Sequence, residues 1–126
     1  MKLIHKTNGN EVIISTKVDR LIPRSISCTK YGTTSWVEGK NSFVVDVKND
    51  SKILNINIDT NFYKFGKEFD TPINRGKIIY RYAIKNNIDI IKIKNVPKVG
   101  TEYAILNINC IEKINKIKKI VKESLL

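Results

Sequence analysis

Phe43-Val44-Val45-Asp46-Val47-Lys48-Asn49-Asp50-Ser51-Lys52-Ile53-Leu54-Asn55-Ile56-Asn57-Ile58-Asp59 alternates apolar and polar residues on either side of a polar break. Side chains of an extended chain point to opposite faces in turn, so Phe43, Val45 and Val47 share one face. Leu54, Ile56 and Ile58 share another, against polar Asn55, Asn57 and Asp59. Two half-buried strands are expected. Residues 48–52 are polar and turn-forming, which predicts that the two strands pair antiparallel.

Outward from this stretch, Lys2–His5, Glu11–Ser15 and Arg24–Thr29 are shorter candidate strands. The third follows Pro23, which cannot donate to a ladder and so marks a strand's beginning. The period changes near residue 71. Thr71 or Asn74 can cap a helix running from about Pro72 or Asn74 to Lys85, and Pro72 suits its first turn. Ile78, Ile79, Tyr82 and Ala83 are expected to face inward, Lys77, Arg81 and Lys85 outward, and Asn86-Asn87 to end the helix in a left-handed conformation. Two strand-like runs follow, Ile88–Lys94 and Glu102–Asn107, joined by a loop at Asn95–Thr101 that contains Pro97 and Gly100.

Isoleucines at 111, 114, 117 and 120 form one helical stripe with lysines opposite, predicting a basic amphipathic C-terminal helix over 111–126. Such a helix either docks its isoleucines on the body and keeps its lysines in water, or contacts nucleic acid or an anionic surface. Strands, a central helix, strands and a tail helix, without regular βαβ alternation, make an α+β protein. One domain spanning 1–126 is expected, with a body over 1–110.

The chain has 126 residues, of which 23 are Lys or Arg and 12 Asp or Glu, giving a net charge of +11. That length buries enough surface for a hydrophobic core without staples. A disordered tail, a collagen-like fibre and a disulfide scaffold are excluded. No apolar run approaches the roughly 20 residues of a membrane-spanning helix, so a soluble chain is expected. Lys2, His5 and Lys6 flank the only apolar pair near the start, and no secretory signal is expected. Nineteen lysines, 22 isoleucines and 14 asparagines are types that A/T-rich codons specify, so part of the charge reflects base composition. The remainder favours encounter with any polyanion. Cys28 and Cys110 lie far apart, and a single histidine cannot complete a zinc set with them, which predicts free thiols in a reducing cytosol and no metal.

Glu102 opens a strand whose faces are otherwise apolar: Ala104 and Leu106 on its own side, Tyr103 and Ile105 on the other. A carboxylate there stands either at the edge of a core or in a cleft, or is simply exposed at a strand end. His5 ends the first strand and is followed by Lys6 and Thr7. Ser25, Ser27 and Thr29 place hydroxyls on one face of the strand after Pro23, where they either bind a ligand or make cross-strand bonds.

Four pieces in order, Leu3-Ile4-His5-Lys6-Thr7, Ile22-Pro23-Arg24-Ser25-Ile26-Ser27-Cys28-Thr29-Lys30, Ser42–Val47, and Asn87–Asn95 followed by Gly100-Thr101-Glu102-Tyr103-Ala104-Ile105-Leu106-Asn107, resemble the ADP-ribosyltransferase superfamily, particularly its small phage and bacterial members. His5-Lys6-Thr7 is similar to the family's His-Gly-Thr, Ile26-Ser27-Cys28-Thr29-Lys30 to its Ser-x-Thr strand, and Glu102 falls where its catalytic glutamate often stands. The resemblance implies a split β-sandwich: two small, mostly antiparallel sheets splayed around a cleft that holds NAD. It implies Glu102 as the catalytic carboxylate, His5 and Thr7 holding the adenosine side or the ribose, and Ser27 and Thr29 shaping the nicotinamide pocket and orienting Glu102. Tyr31, Trp36, Tyr63 and Tyr80 are candidates for stacking the nicotinamide.

The departures are Lys6 in place of the glycine, and Gly100 two residues before Glu102 where arginine-modifying members carry Glu or Gln. The implied protein is a monomer that transfers ADP-ribose from NAD to a protein or nucleic acid in the cytoplasm, as a toxin or a phage effector in its host. The rival expectation is a non-catalytic basic module or inhibitor that binds nucleic acid or an acidic host protein. No RNP-type aromatic strand, GxxG clamp or helix-turn-helix spacing accompanies the charge.

Overall fold

Isoleucine and valine at alternate positions build the strands of the computed structural model, which describes residues 1–17, 20–31 and 40–117. Among these the strands are β1 (Lys2–Thr7), β2 (Ile26–Lys30), β3 (Asn41–Val47), β4 (Ile53–Asn57), β5 (Ile90–Val96), β6 (Gly100–Ile105) and β7 (Ile111–Lys116). One helix, α1 (Pro72–Lys85), and 3-10 turns at Asn61–Lys64 and Ile108–Cys110 complete the order. All seven strands form a single sheet, ordered β4-β5-β6-β2-β1-β3-β7. Every pairing is antiparallel except β4 with β5, whose connection carries α1 and makes one βαβ unit.

The split sandwich of two sheets is therefore not the architecture, although the α+β class stands. β2 is the reason. Its Ile26, Ser27 and Cys28 pair with β6, while its Thr29 and Lys30 pair with β1. One short strand thus joins what would otherwise be two sheets, and the sheet narrows there to two residue pairs between β1 and β2.

The expected hairpin of residues 43–58 is also corrected. β3 and β4 are strands, but they lie at opposite ends of the sheet. Val45 and Val47 pack with Leu3, Ile26, Cys28, Tyr103 and Ile105 in one cluster, whereas Ile56 packs with Ile79, Ala83, Ile91 and Ile93 in another. A hairpin would have brought these two apolar sets together. β5 serves both clusters through buried Ile90, Ile91 and Ile93, as a strand covered on both faces does.

The C-terminal helix is corrected as far as the chain is described. Residues 111–116 form edge strand β7 on β3, and 118–126 lie outside the described residues. Ile111 opposes Val47 and Ile114 opposes Val45, so three residues of β7 span two of β3 across a bulge. The extra residue lets an i, i+3 spacing keep both isoleucines on one face of a strand. Glu11–Ser15 forms no strand, although Ser15 N–H bonds Ser25 O at 3.2 Å.

Helix α1 begins where its cap predicts: Thr71 Oγ1 accepts from Asn74 N–H at 3.2 Å, Pro72 opens the first turn, and Asn87 beyond the end adopts φ 55°. Its buried residues are Arg75, Gly76, Ile79 and Ala83, while Tyr82 is exposed. Gly76 lies so close to the preceding loop that a Cβ there would stand 1.6 Å from Leu21 O. Arg75, 3 % exposed, donates to the carbonyls of Tyr63, Phe65, Lys67, Glu68 and Asp70 and so winds residues 63–70 around its guanidinium. Tyr63 adds its ring, 5.2 Å from the guanidinium carbon. Among the described residues no helix is long and apolar enough to cross a membrane.

Candidate functional site

β1 and β2 part company after Ile4, the last residue of β1 that pairs with β2. At His5 a side chain takes over the link: its Nδ1 lies 2.7 Å from the carbonyl oxygen of Ser27. A carbonyl only accepts, so Nδ1 carries the proton, and a neutral ring leaves Nε2 as an acceptor. Burial holds His5 below the usual imidazole range, opposed by the bond to Ser27 and reinforced by the charge of Arg20. The ring is therefore neutral at pH 7 and offers Nε2 as a lone pair.

From the same residue, Ser27 Oγ donates to Glu102 Oε1 at 2.7 Å. The two meet because β2 and β6 are paired neighbours, with Ser27 opposite Ala104. Glu102 reaches this point through the β5–β6 turn, where Lys98 and Gly100 adopt φ 66° and 83° and Val99 N–H closes on Val96 O at 3.1 Å. The left-handed position at Gly100 is one that a residue without Cβ adopts at no steric cost.

His5, Ser27, Thr29 and Glu102 line one cleft of about 320 Å3 with Lys6, Arg20, Leu21 and Val99. Four of the five residues singled out in the sequence are thereby brought together. Thr7 is not among them. Its Oγ1 accepts from Gly9 N–H at 3.1 Å, and it lines an adjoining depression of about 680 Å3 that shares His5, Lys6 and Arg20 with the cleft. Of the aromatic candidates, Tyr31, Tyr63 and Tyr80 are absent from the cleft lining, and Trp36 lies outside the described residues. The apolar walls are Leu21 and Val99 instead.

Arg20, Leu21 and Val99 were not singled out from sequence. Arg20 and Leu21 sit in an irregular segment held by Arg20 Nη1 to Ser25 O at 3.4 Å and by Gly76 beneath Leu21. Val99 is the tip of a turn. No periodic signal marks any of the three, and the one clue was Pro97 and Gly100 bracketing a turn just before Glu102.

Several chemistries are disfavoured by this arrangement. Ser27 Oγ donates to Glu102 while His5 engages the Ser27 carbonyl, so the imidazole is not aligned to take the hydroxyl proton as in a Ser–His dyad. Cys28, beside Glu102, is buried, and its burial raises the thiol well above the ordinary range, so it is a poor nucleophile. Cys28 and Cys110 are both buried free thiols. No group of three or more His, Cys, Asp or Glu among the described residues is arranged to hold a metal ion.

No family model and no curated protein matches the chain. Among solved structures, the crystal structure of an anti-CRISPR protein is similar, with a TM-score of 0.55 at 10% identity, covering 93% of this chain and 95% of that one. At that identity the likeness speaks for a shared fold over nearly the full length of both chains.

Proposed function

We propose that the protein transfers ADP-ribose from NAD to a macromolecular acceptor and acts as a phage-type effector. The observation that carries this reading is the meeting of His5, Ser27 and Glu102, from three strands, around one cleft, linked by two hydrogen bonds of 2.7 Å. Breaking the nicotinamide glycosidic bond sends the bonding pair out with nicotinamide and leaves oxocarbenium-like positive charge on the ribose. A carboxylate fixed against that charge lowers the barrier, because it is already oriented when the charge develops. Glu102 supplies it, and Ser27 Oγ holds one of its oxygens in place. His5 Nε2 accepts a hydrogen bond from a ribose hydroxyl. Arg20 and Lys6 line the same cleft and supply positive charge for a dinucleotide's phosphates, and Thr29, Leu21 and Val99 shape the remaining wall. The acceptor's nucleophile then bonds the ribose carbon and releases its proton to solvent. Gly100, standing two residues before Glu102, supplies no second carboxylate, which argues against arginine as the acceptor.

The effector part of the reading draws support from the anti-CRISPR neighbour, a chain of matching extent. That likeness also favours a second reading, a non-catalytic inhibitor that blocks its target by occupancy. Incubating the purified protein with labelled NAD and a bacterial extract, beside Glu102→Gln, separates the two. Transfer of label that Glu102→Gln abolishes supports the transferase. Inhibition of a target system that survives Glu102→Gln, without any label transferred, supports the inhibitor.

A further inference from the structure

Thr29 and Val99 form a wall shared between the Glu102 cleft and a second pocket of about 380 Å3. Its other lining residues are Lys30, Lys92, Lys94, Gly100, Thr101 and Tyr103. Among the described residues that line it, three are lysines and none is acidic. Lys92 and Lys94 alternate on β5, which sets them about 6.6 Å apart along one face. Lys92 does not hang free: its Nζ lies 5.6 Å from the centre of the buried Tyr103 ring, a cation–π contact that favours this placement of the ammonium. Lys30 reaches the pocket from the end of β2, and the next residue, Tyr31, is 55% exposed.

We propose that this pocket binds the phosphates of a single-stranded nucleic acid, with the Tyr31 ring receiving a base. A positively charged groove, with an exposed aromatic one residue along the chain from its lining, offers the two components by which single strands are held without reading their sequence. An acidic peptide is the poorer fit. It would pair with the lysines but offer no base to the exposed Tyr31 ring. Adjacent to Glu102, such a strand would lie within reach of the transfer chemistry, yet the proposal stands on charge and shape and not on the NAD reading.

The test is anisotropy of a fluorescein-labelled oligothymidine, about 15 nucleotides long to span one binding groove, titrated at low and at physiological salt. It is read for wild type, Lys94→Gln, the Lys92→Gln/Lys94→Gln pair, Tyr31→Ala and Glu102→Gln, all with wild-type circular dichroism. Removing one lysine–phosphate pairing flattens the slope of log affinity against log salt by about 0.7, so the single variant should flatten it by about 0.7 and the pair by about 1.4. Tyr31→Ala should weaken binding by about fivefold or more. Glu102→Gln removes no lysine–phosphate pairing and should keep the wild-type salt slope, which keeps this result independent of whether ADP-ribose is transferred. Lysine variants that bind with the wild-type slope would overturn the proposal. So would displacement of the oligonucleotide by polyglutamate as effective as by unlabelled oligothymidine.

Discussion

Replacing Gly76 with alanine probes how helix α1 holds the cleft. The new Cβ would stand 1.6 Å from Leu21 O and 2.8 Å from Leu21 C, whereas real Cβ atoms essentially never approach a neighbour closer than 3.0 Å. The carbonyl must therefore retreat by at least about 1.4 Å, the difference between 3.0 and 1.6 Å. It belongs to the backbone and cannot swing aside. Ile22, next along, is 1% exposed, and its carbonyl accepts from Ser25 Oγ at 3.0 Å, so the segment is tied down on its far side. Forcing a methyl group into packed surroundings costs about 1–3 kcal/mol, and a backbone clash this close belongs at the upper end. Alanine's better helix propensity returns about 1 kcal/mol. A net destabilisation of about 2 kcal/mol remains, which for a domain of this size lowers Tm by about 8 °C. Because Leu21 and Arg20 line the cleft, NAD turnover should also fall at temperatures well below that melting point, where the variant is still folded. Calorimetry and a transfer assay on the same preparation check both halves. A Gly76→Ala protein that melts at or above the wild-type temperature would refute the packing argument.

Arg75→Leu strands five carbonyls around an apolar side chain and should cost about 3 kcal/mol or more, with Arg75→Lys failing to restore it, as urea denaturation will read. Ser27→Ala removes a hydrogen bond to a charged group worth about 1.5 kcal/mol, so Tm should fall by about 6 °C, read by calorimetry, and transfer, measured as initial rates against NAD concentration, should slow because Glu102 is no longer held. Burial depresses the His5 pKa in the folded state, so the unfolded chain binds more protons in the window just below 6.5. Stability is then full above pH 6.5 and declines as pH falls through the folded pKa, and His5→Asn should flatten that part of a Tm-against-pH curve.

The strands were legible wherever burial is one-sided or the run is β-branched, as in Phe43–Val47 and Ile90–Ile93, and α1 was legible from Thr71, Pro72 and Asn87. Their neighbours were not. Nothing local distinguishes β3 paired with β4 from β3 paired with β1 and β7, because the choice is made by which apolar face each strand shares, and that is a long-range matter. Ile111 and Ile114 carry a helical spacing that a single bulged residue converts into a strand's, and only the register against Val45 and Val47 reveals it. In the cleft, His5, Ser27, Thr29 and Glu102 could be picked out because each stands at a strand end or on an alternating polar face. Arg20, Leu21 and Val99 come from an irregular segment and a turn, where side-chain placement is decided by tertiary packing such as that of Gly76 against Leu21. Thr7 shares a strand with His5, but its hydroxyl serves a local turn with Gly9.

The central claim is that three strands build a groove for NAD. Titrating NAD into 15N-labelled protein and following amide shifts tests it most directly. Shifts should saturate at residues 5, 6, 20, 21, 27, 29, 99 and 102, while the amides of α1 beyond Gly76 and of β7 stay still. An unchanged spectrum at millimolar NAD, or saturating shifts confined to residues outside this cleft and the depression beside it, would contradict the claim.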